Sequence, residues 1–593
     1  MIETLENQLS QLEAYGLVQV AQQQPELEYL FRHVLVQDAA YDSLLRQKRR
    51  GLHLAVGEAL ETLYPDRLEA LAPVLGHHFS EAGDRPHALH YLTLAGDSAA
   101  SRYANQEAAT HYAAALALAH EEPDCPQLTD LYLKLGHTLA HSGRHNEAMA
   151  HYEKMQAVAQ ERGNQPMQLA SMLQQATLRS TSTPLFDEWQ AKMLCNQALT
   201  LARRIDDSEA EAKILWNLML VSKFSGQSVD ARRYGEQALA LIRQFDDREQ
   251  LAYILHDLAA HGYMATSEFR LAIRTLNEAR ELWEELGNLP MVIDNLATLS
   301  MGSFVLGEDQ EAVEYSDEAW RLSESIQHKW GQSHSRFMAG SVHANWGHID
   351  DALNVMEACV TLGREAGLTP ANCIATMLAL LYGELGQVDR GIATAQEAVD
   401  QVRKRLPNFL PWGEGNLLLL YLLKGDFANA HATLEDLNSY ELKLDGLAMF
   451  SFQVTVGMAR AEYALMAGTA DSALELADAL LKYAYHIEAN VFWSELLYLK
   501  ARTLLPLGKI DAAYAALNEA RKDAEERSNR RMLWRILLAM SRIESERLHL
   551  DDARMLRDQA ADVLIYILGH ITHPDIRDSF LALPEVQEIL GTP

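Results

Sequence analysis

Histidine is the residue type through which this chain could most readily do chemistry, with 23 among 593 residues. His77, His78, His87 and His90 gather in one stretch, and His137, His141 and His145 recur at intervals of four, the spacing that puts side chains on one helix face. Such a face can hold zinc, but neither group carries an H-E-x-x-H motif or matching carboxylates, so both read as packing or surface histidines and no metal or cofactor is expected. The carboxylate pairs Asp206-Asp207 and Asp246-Asp247 precede Ser208-Glu209 and Arg248-Glu249, where they suit helix caps better than acid–base catalysis. None of Cys125, Cys195, Cys359 and Cys373 forms a CxxC pair or sits in a nucleophile phrase with histidine, and no G-x-S-x-G elbow occurs. Gly508-Lys509 is followed by Ile510 and lacks the upstream glycine of a phosphate-binding loop. The expectation is a chain that is not an enzyme.

The elements that position these residues follow from a repeat. A small residue in a turn is followed five residues on by an alanine, and seven further on by another small residue. The first alanine falls at Ala108, Ala148, Ala191, Ala231 and onward to Ala553, with Gly391 in its place once; the spacing stays between 39 and 43 residues. Glycine stands at the turn in Gly143, Gly226, Gly307, Gly347, Gly386, Gly425, Gly468 and Gly508. About forty residues make two helices with short turns. Glycine ends helix A in the left-handed conformation, and two small residues seven apart let helix B lie close against its neighbours. Because 48% of residues are hydrophobic and only 8% aromatic, alanine and leucine supply the core, as in helical proteins. The fold class is therefore all-α, a right-handed superhelix, or solenoid, of about twelve two-helix repeats, each touching only its neighbours.

A formal charge of −31 repels nucleic-acid phosphates and anionic lipid, so nucleic acid and membrane are disfavoured as partners. The basic run Arg46-Gln47-Lys48-Arg49-Arg50 suits intramolecular docking better than DNA contact. The N-terminus lacks the features of a signal peptide, no apolar run approaches 18 residues, and the cysteine usage suits a reducing compartment, so a cytoplasmic location is expected.

The forty-residue phrase resembles the tetratricopeptide repeat, lengthened as in maltotriose-responsive activators. At the N-terminal end, a short helix over Ile2 to Tyr15 precedes two strand-like pieces, around Leu17 to Val20 and Leu27 to Phe31, with a turn from Gln22 to Pro25. This is the pattern that closes a winged helix. The segment Phe31-Arg32-His33-Val34-Leu35 through Ala40-Tyr41-Asp42-Ser43-Leu44-Leu45 to Arg49-Arg50-Gly51-Leu52-His53 resembles the phrase that follows the nucleotide-binding domain in signal-transducing regulatory ATPases of the STAND type, including those joined to adenylate or guanylate cyclases. Ala72 to Gly83, with Ala88 and Tyr91 to Gly96, and Asp575 to Leu590 are similar to later stretches of that family. The resemblance implies a winged-helix remnant at 1–35, a helical connector at 36–85, repeats at 86–570 and a tail at 571–593. It implies an ATPase module in cis or in trans, and interdomain roles for Phe31, His33, Tyr41, Arg49, Arg50 and His53. The phosphate-binding loop itself is missing from this sequence, so the family's nucleotide chemistry is not carried over.

In tetratricopeptide-type superhelices helix A lines the concave surface, and polar or aromatic residues there anchor ligands. Asn217, Asp257, Asn295, Arg336 and Tyr382, near the middle of successive helices A, are the expected groove residues. The expected function is a signal-sensing and partner-binding arm for a protein, a peptide or a small effector. Ligand would change superhelix curvature, passed through residues 36–85 to the winged helix. The rivals are a C-terminal part of a nucleotide cyclase or ATPase, and a freestanding scaffold.

Overall fold

The alanine that recurs every forty residues is the fourth residue of a helix each time it occurs, from Asn105–His120 and His145–Glu161 to Ile510–Glu526 and Leu550–Gly569. Ala108, Ala148, Ala191, Ala231, Ala272 and Ala312 are all fully buried, as are Ala115, Met155, Ala198 and Ala238 seven positions later. This is helix B, pressed by its small-residue face against helix A of its own and the following unit. A computed structural model describes residues 2–22, 28–102, 104–122, 124–181, 183–368, 370–405, 407–444 and 450–591. Among them the chain is an all-α, tetratricopeptide-like solenoid with one two-stranded hairpin. It divides into two compact units, Met1–Asp187 and Glu188–Pro593.

The first unit opens with the helix Ile2–Ala14 and strands β1 (Val18–Gln22) and β2 (Glu28–Phe31), paired antiparallel with Val18 opposite Phe31. Residues 23–27 of the expected turn and second strand lie outside the described residues. Helices Val34–Asp42, Arg46–Leu63, Leu68–Ala82 and Arg85–Ser101 lead into two-helix units that run to Ser180. From Arg46–Leu63 to Gln165–Ser180 each helix packs on its sequence neighbours. Close approach depends on glycine: a Cβ on Gly136 would lie 2.3 Å from the Tyr152 ring of the following helix.

The second unit departs from the expectation that repeats touch only their neighbours. Turns between helices A and B meet turns between helices B and A several units later. Arg527 donates two 3.0 Å hydrogen bonds to Asp309, 218 residues away. The same separation joins Arg270 to Glu488 at 2.5 Å and His348 to Tyr566 at 2.9 Å. Arg530 donates to the Trp346 carbonyl, Arg531 to Asn345 and Glu384, and Ser579 to the Leu385 carbonyl. Apolar contacts follow the polar ones, with Val491 joining Phe304, Val313 and Val342 in one buried cluster. The ribbon of helices therefore completes a superhelical turn within this unit and closes along a seam, so curvature is held by contacts outside the local stack.

Helix Leu289–Leu306 is long and apolar enough by composition to cross a membrane, the sequence reading notwithstanding, but 72% of it is buried inside this unit. All four cysteines are buried and unpaired, and burial pushes Cys195, Cys359 and Cys373 up to about 12. That environment suits packing and leaves little thiolate at neutral pH.

Candidate functional site

Four successive helices A in the second unit carry polar and aromatic residues that meet one another across the stack. They are Ser208–Phe224, the helix beginning Arg248–Asp257, Leu289–Leu306, and the pair Lys329–His334 and Phe337–Trp346. The second of these winds wider as a π-helix from Leu258 to Tyr263, a distortion found often at functional sites. Gly262 permits it, because a Cβ there would lie 3.2 Å from the Arg232 backbone.

Trp216 donates its indole N–H to Asp257 at 2.7 Å, and His261 lies 3.6 Å from the same carboxylate and 2.7 Å from the Lys223 ammonium. One repeat further, His256 meets Asp294 at 3.2 Å, and Trp330 donates to the other Asp294 oxygen at 3.2 Å. The Trp330 ring stacks on His334, with centroids 5.1 Å apart. Asn295 binds the Leu276 carbonyl at 3.1 Å and sits 3.3 Å from the second nitrogen of His256.

Enclosure by protein sets the charges. Burial pushes Asp257 up, against the pull of His256 and Lys223, and pushes Lys223, His261 and His334 down. Burial would also raise Asp294, but the His256 hydrogen bond and charge outweigh it and hold Asp294 well below the usual range. His256 is raised in turn: burial disfavours its charge, and Asp294 more than compensates. Solvent still reaches the set, since the side chains of Asp257, His261 and Asp294 are 16%, 24% and 30% exposed. Anions, cations and aromatic faces gathered in one partly exposed cluster can bind a polar or zwitterionic group, paying less for desolvation because each partner charge is already in place. Two open hollows lie elsewhere, one of about 580 Å³ beside Arg403 and Glu414 and one of about 630 Å³ beside Phe245 and Arg248. Both are open at the surface, and neither is lined by the residues of this network.

Of the expected groove residues, Asp257 is in this network and Asn295 is beside it. Asn217 and Asn295 are fully buried, and Tyr382 nearly so. Tyr382 gives its hydroxyl to Glu357 at 2.5 Å under the Arg390 guanidinium, and burial with Glu357 holds it well above its usual pKa. Arg336 falls at the break between two helical pieces and reaches Asp317 at 3.0 Å, over the Trp320 ring. Trp216, Lys223, His256, His261, Asp294, Trp330 and His334 were not singled out as a set. Their signal is one of spacing: the joined pairs are 36 to 41 residues apart, one repeat.

Toward the N-terminus, Tyr41, His53 and His78 form a relay across three helices, with contacts of 3.0 and 2.8 Å. Burial lowers the pKa of both histidines. Arg49 lies over the Tyr41 ring, and Arg50 stands against Gly83. Phe31 is exposed and so is His33, with Leu30, Val34, Leu35, Leu45, Leu52 and Val56 also open to solvent. Arg49 is partly buried and paired with Asp42, whereas these apolar side chains are exposed.

Residues 129–160 match the tetratricopeptide repeat family. No curated protein matches the chain. Among solved structures, it is similar to a Rap protein complexed with competence and sporulation factor (12% identity, 67% of this chain and 99% of that one, TM-score 0.45). It is similar to the Cut9–Hcn1 hetero-tetramer of APC/C (13%, 94% and 99%, TM-score 0.46). It is also similar to a signal transduction ATPase with numerous domains from Pyrococcus horikoshii that has a tetratricopeptide repeat sensor (14%, 73% of this chain but 57% of that one, TM-score 0.38).

Proposed function

We propose that this chain is a non-catalytic sensing and interaction arm that binds a peptide segment or small polar effector against the inner helices of its second unit and serves an ATPase-type regulatory partner. The observation that carries this reading is the network from Lys223 to His334. Buried charge is costly and is normally paired in the smallest possible set. Here eight polar or aromatic groups from four units are held together and left partly exposed, which is the arrangement a polar binding site needs. An arm built of repeats also fits a sensor, since ligand contacts from several units add up along one surface.

The uncovered apolar side chains between Leu30 and Val56 support a docked partner at the N-terminal end. The phrase from Phe31 to His53 is the part that resembles STAND regulators, and an ATPase module is the partner this reading assigns. The same surface gives the scaffold reading its support, with a stoichiometric protein in place of a ligand.

Native mass spectrometry of the gently purified chain, followed by denaturing analysis, tests the sensor reading. It predicts a discrete additional small-molecule or peptide mass that is lost from Asp257→Ala and Trp330→Ala proteins. Retention of the same mass by both variants would overturn the site, and a stoichiometric protein in its place would favour the scaffold.

A further inference from the structure

The turn at Gly347 holds a separate group of side chains, away from the inner network. His343 lies in the last turn of helix Phe337–Trp346, and His348 and Asp351 flank the start of helix Ile349–Glu365. Each can bring one ligand atom within 4.8 Å of the other two. Across the seam stand Tyr566 and His570, at the end of helix Leu550–Gly569. The His570 ring stacks on that of His348, with centroids 4.8 Å apart and planes inclined by 24°.

We propose that His343, His348 and Asp351 form a binding site for a divalent transition-metal ion of the zinc class, with His570 from the next superhelical turn as the fourth ligand. Two imidazoles, a carboxylate and a third imidazole are the nitrogen and oxygen set that such ions take in tetrahedral geometry. A second observation points the same way: Nδ1 of His343 is buried and has no hydrogen-bond partner. Buried polar atoms are ordinarily satisfied, and an ion would satisfy this one. The outer shell is also in place. Nε2 of His348 meets the Tyr566 hydroxyl at 2.9 Å, which orients the ring and leaves Nδ1 for metal, while His570 Nδ1 is engaged by the Tyr566 carbonyl at 2.9 Å, leaving Nε2.

Ligand atoms around zinc at about 2.0–2.1 Å lie closer together than 4.8 Å, so binding draws the three side chains inward. Asp351 is exposed and has the freedom to move. Arg530, over the Tyr566 ring at 4.1 Å, adds positive charge beside His348 and opposes the ion. Asp351 is therefore needed to balance it. The neighbouring Asp350 is already committed to the seam, accepting from the Thr572 amide at 2.7 Å. An ion held here ties the turn at Gly347 to the turn at His570 and tightens the seam, so metal supply sets how firmly the second unit closes.

The test is titration of the full chain with Zn²⁺ by calorimetry and with Co²⁺ by visible absorption. One equivalent is expected to bind with tetrahedral Co²⁺ bands, and Asp351→Ala and His343→Gln are each expected to weaken that binding at least tenfold. Zn²⁺ is expected to raise the thermal midpoint of the native chain, and His570→Ala to reduce that rise. Asp351 is exposed, so its variant keeps the fold. Equal affinity in the native and Asp351→Ala chains, or a Co²⁺ spectrum unchanged by His343→Gln, would overturn the site.

Discussion

The two units are built from the same forty-residue phrase, yet they hold their shape differently. In the first, turn glycines such as Gly143 and Gly163 have nothing within 4 Å of the place a Cβ would occupy. In the second, Gly307 faces the Arg527 guanidinium at 2.9 Å, Gly347 faces Ile567 at 2.9 Å, and Gly386 faces the Ser579 carbonyl oxygen at 2.5 Å. The difference is one of length. The seam pairs residues mostly 184 to 222 apart, and the first unit, ending at Asp187, has too few repeats to complete such a turn. A short stack can change curvature by small rotations at each interface. A closed one cannot do so without opening its seam, because packed interfaces are bistable rather than continuously deformable. The expected gradual change of curvature on ligand binding therefore suits the first unit, whereas a ligand bound to the second, as proposed, would have to act by loosening or tightening the seam.

The largest effect should come from breaking the seam at its most buried pair. The Arg527 and Asp309 side chains are 11% and 7% exposed, so Arg527→Ala strands a buried carboxylate and should cost about 3–5 kcal/mol in denaturant unfolding. The exposed pair Arg85–Glu121 of the first unit, with side chains 50% and 55% exposed, should lose no more than about 1 kcal/mol on Arg85→Ala. Next comes a pair of glycine substitutions with equal backbone strain. Gly386 and Gly468 have φ of +87° and +82°, but only Gly386 faces backbone from another turn. Gly386→Ala should cost about 2–4 kcal/mol, from strain plus overpacking, and Gly468→Ala about 1 kcal/mol from strain alone. Equal losses would place the seam contact in doubt.

The smallest effect concerns pH in the first unit. His53 and His78 have folded pKa values below the unfolded value of about 6.5. Their contribution is complete above that value, and it is lost as pH falls below it, because the unfolded chain takes up protons first. The first unit's thermal midpoint should therefore fall on acidification from pH 7 toward 5, and His53→Gln should flatten that slope.

Much of this fold could be read from residue spacing, because each alanine phrase reports a local event, the fourth residue of helix B and the close packing it allows. The seam could not. Gly307 and Gly468 look alike in sequence, and what separates them is a neighbour some 200 residues away, set by curvature accumulated over five repeats. The site was legible only in part for a related reason. Asp257 stands mid-helix and is visible as a polar interruption, whereas His261 enters through a π-helical turn that shifts its direction. Asn217 and Asn295 share the same pattern as Asp257 but point into packed interfaces.

The most direct test of a closed second unit is a double-mutant cycle on Asp309 and Arg527, residues 218 apart, using Asp309→Ala, Arg527→Ala and the double variant in denaturant unfolding. The seam predicts a coupling energy of about 1–3 kcal/mol, the range for residues in direct contact. Strict additivity of the two single losses would contradict it.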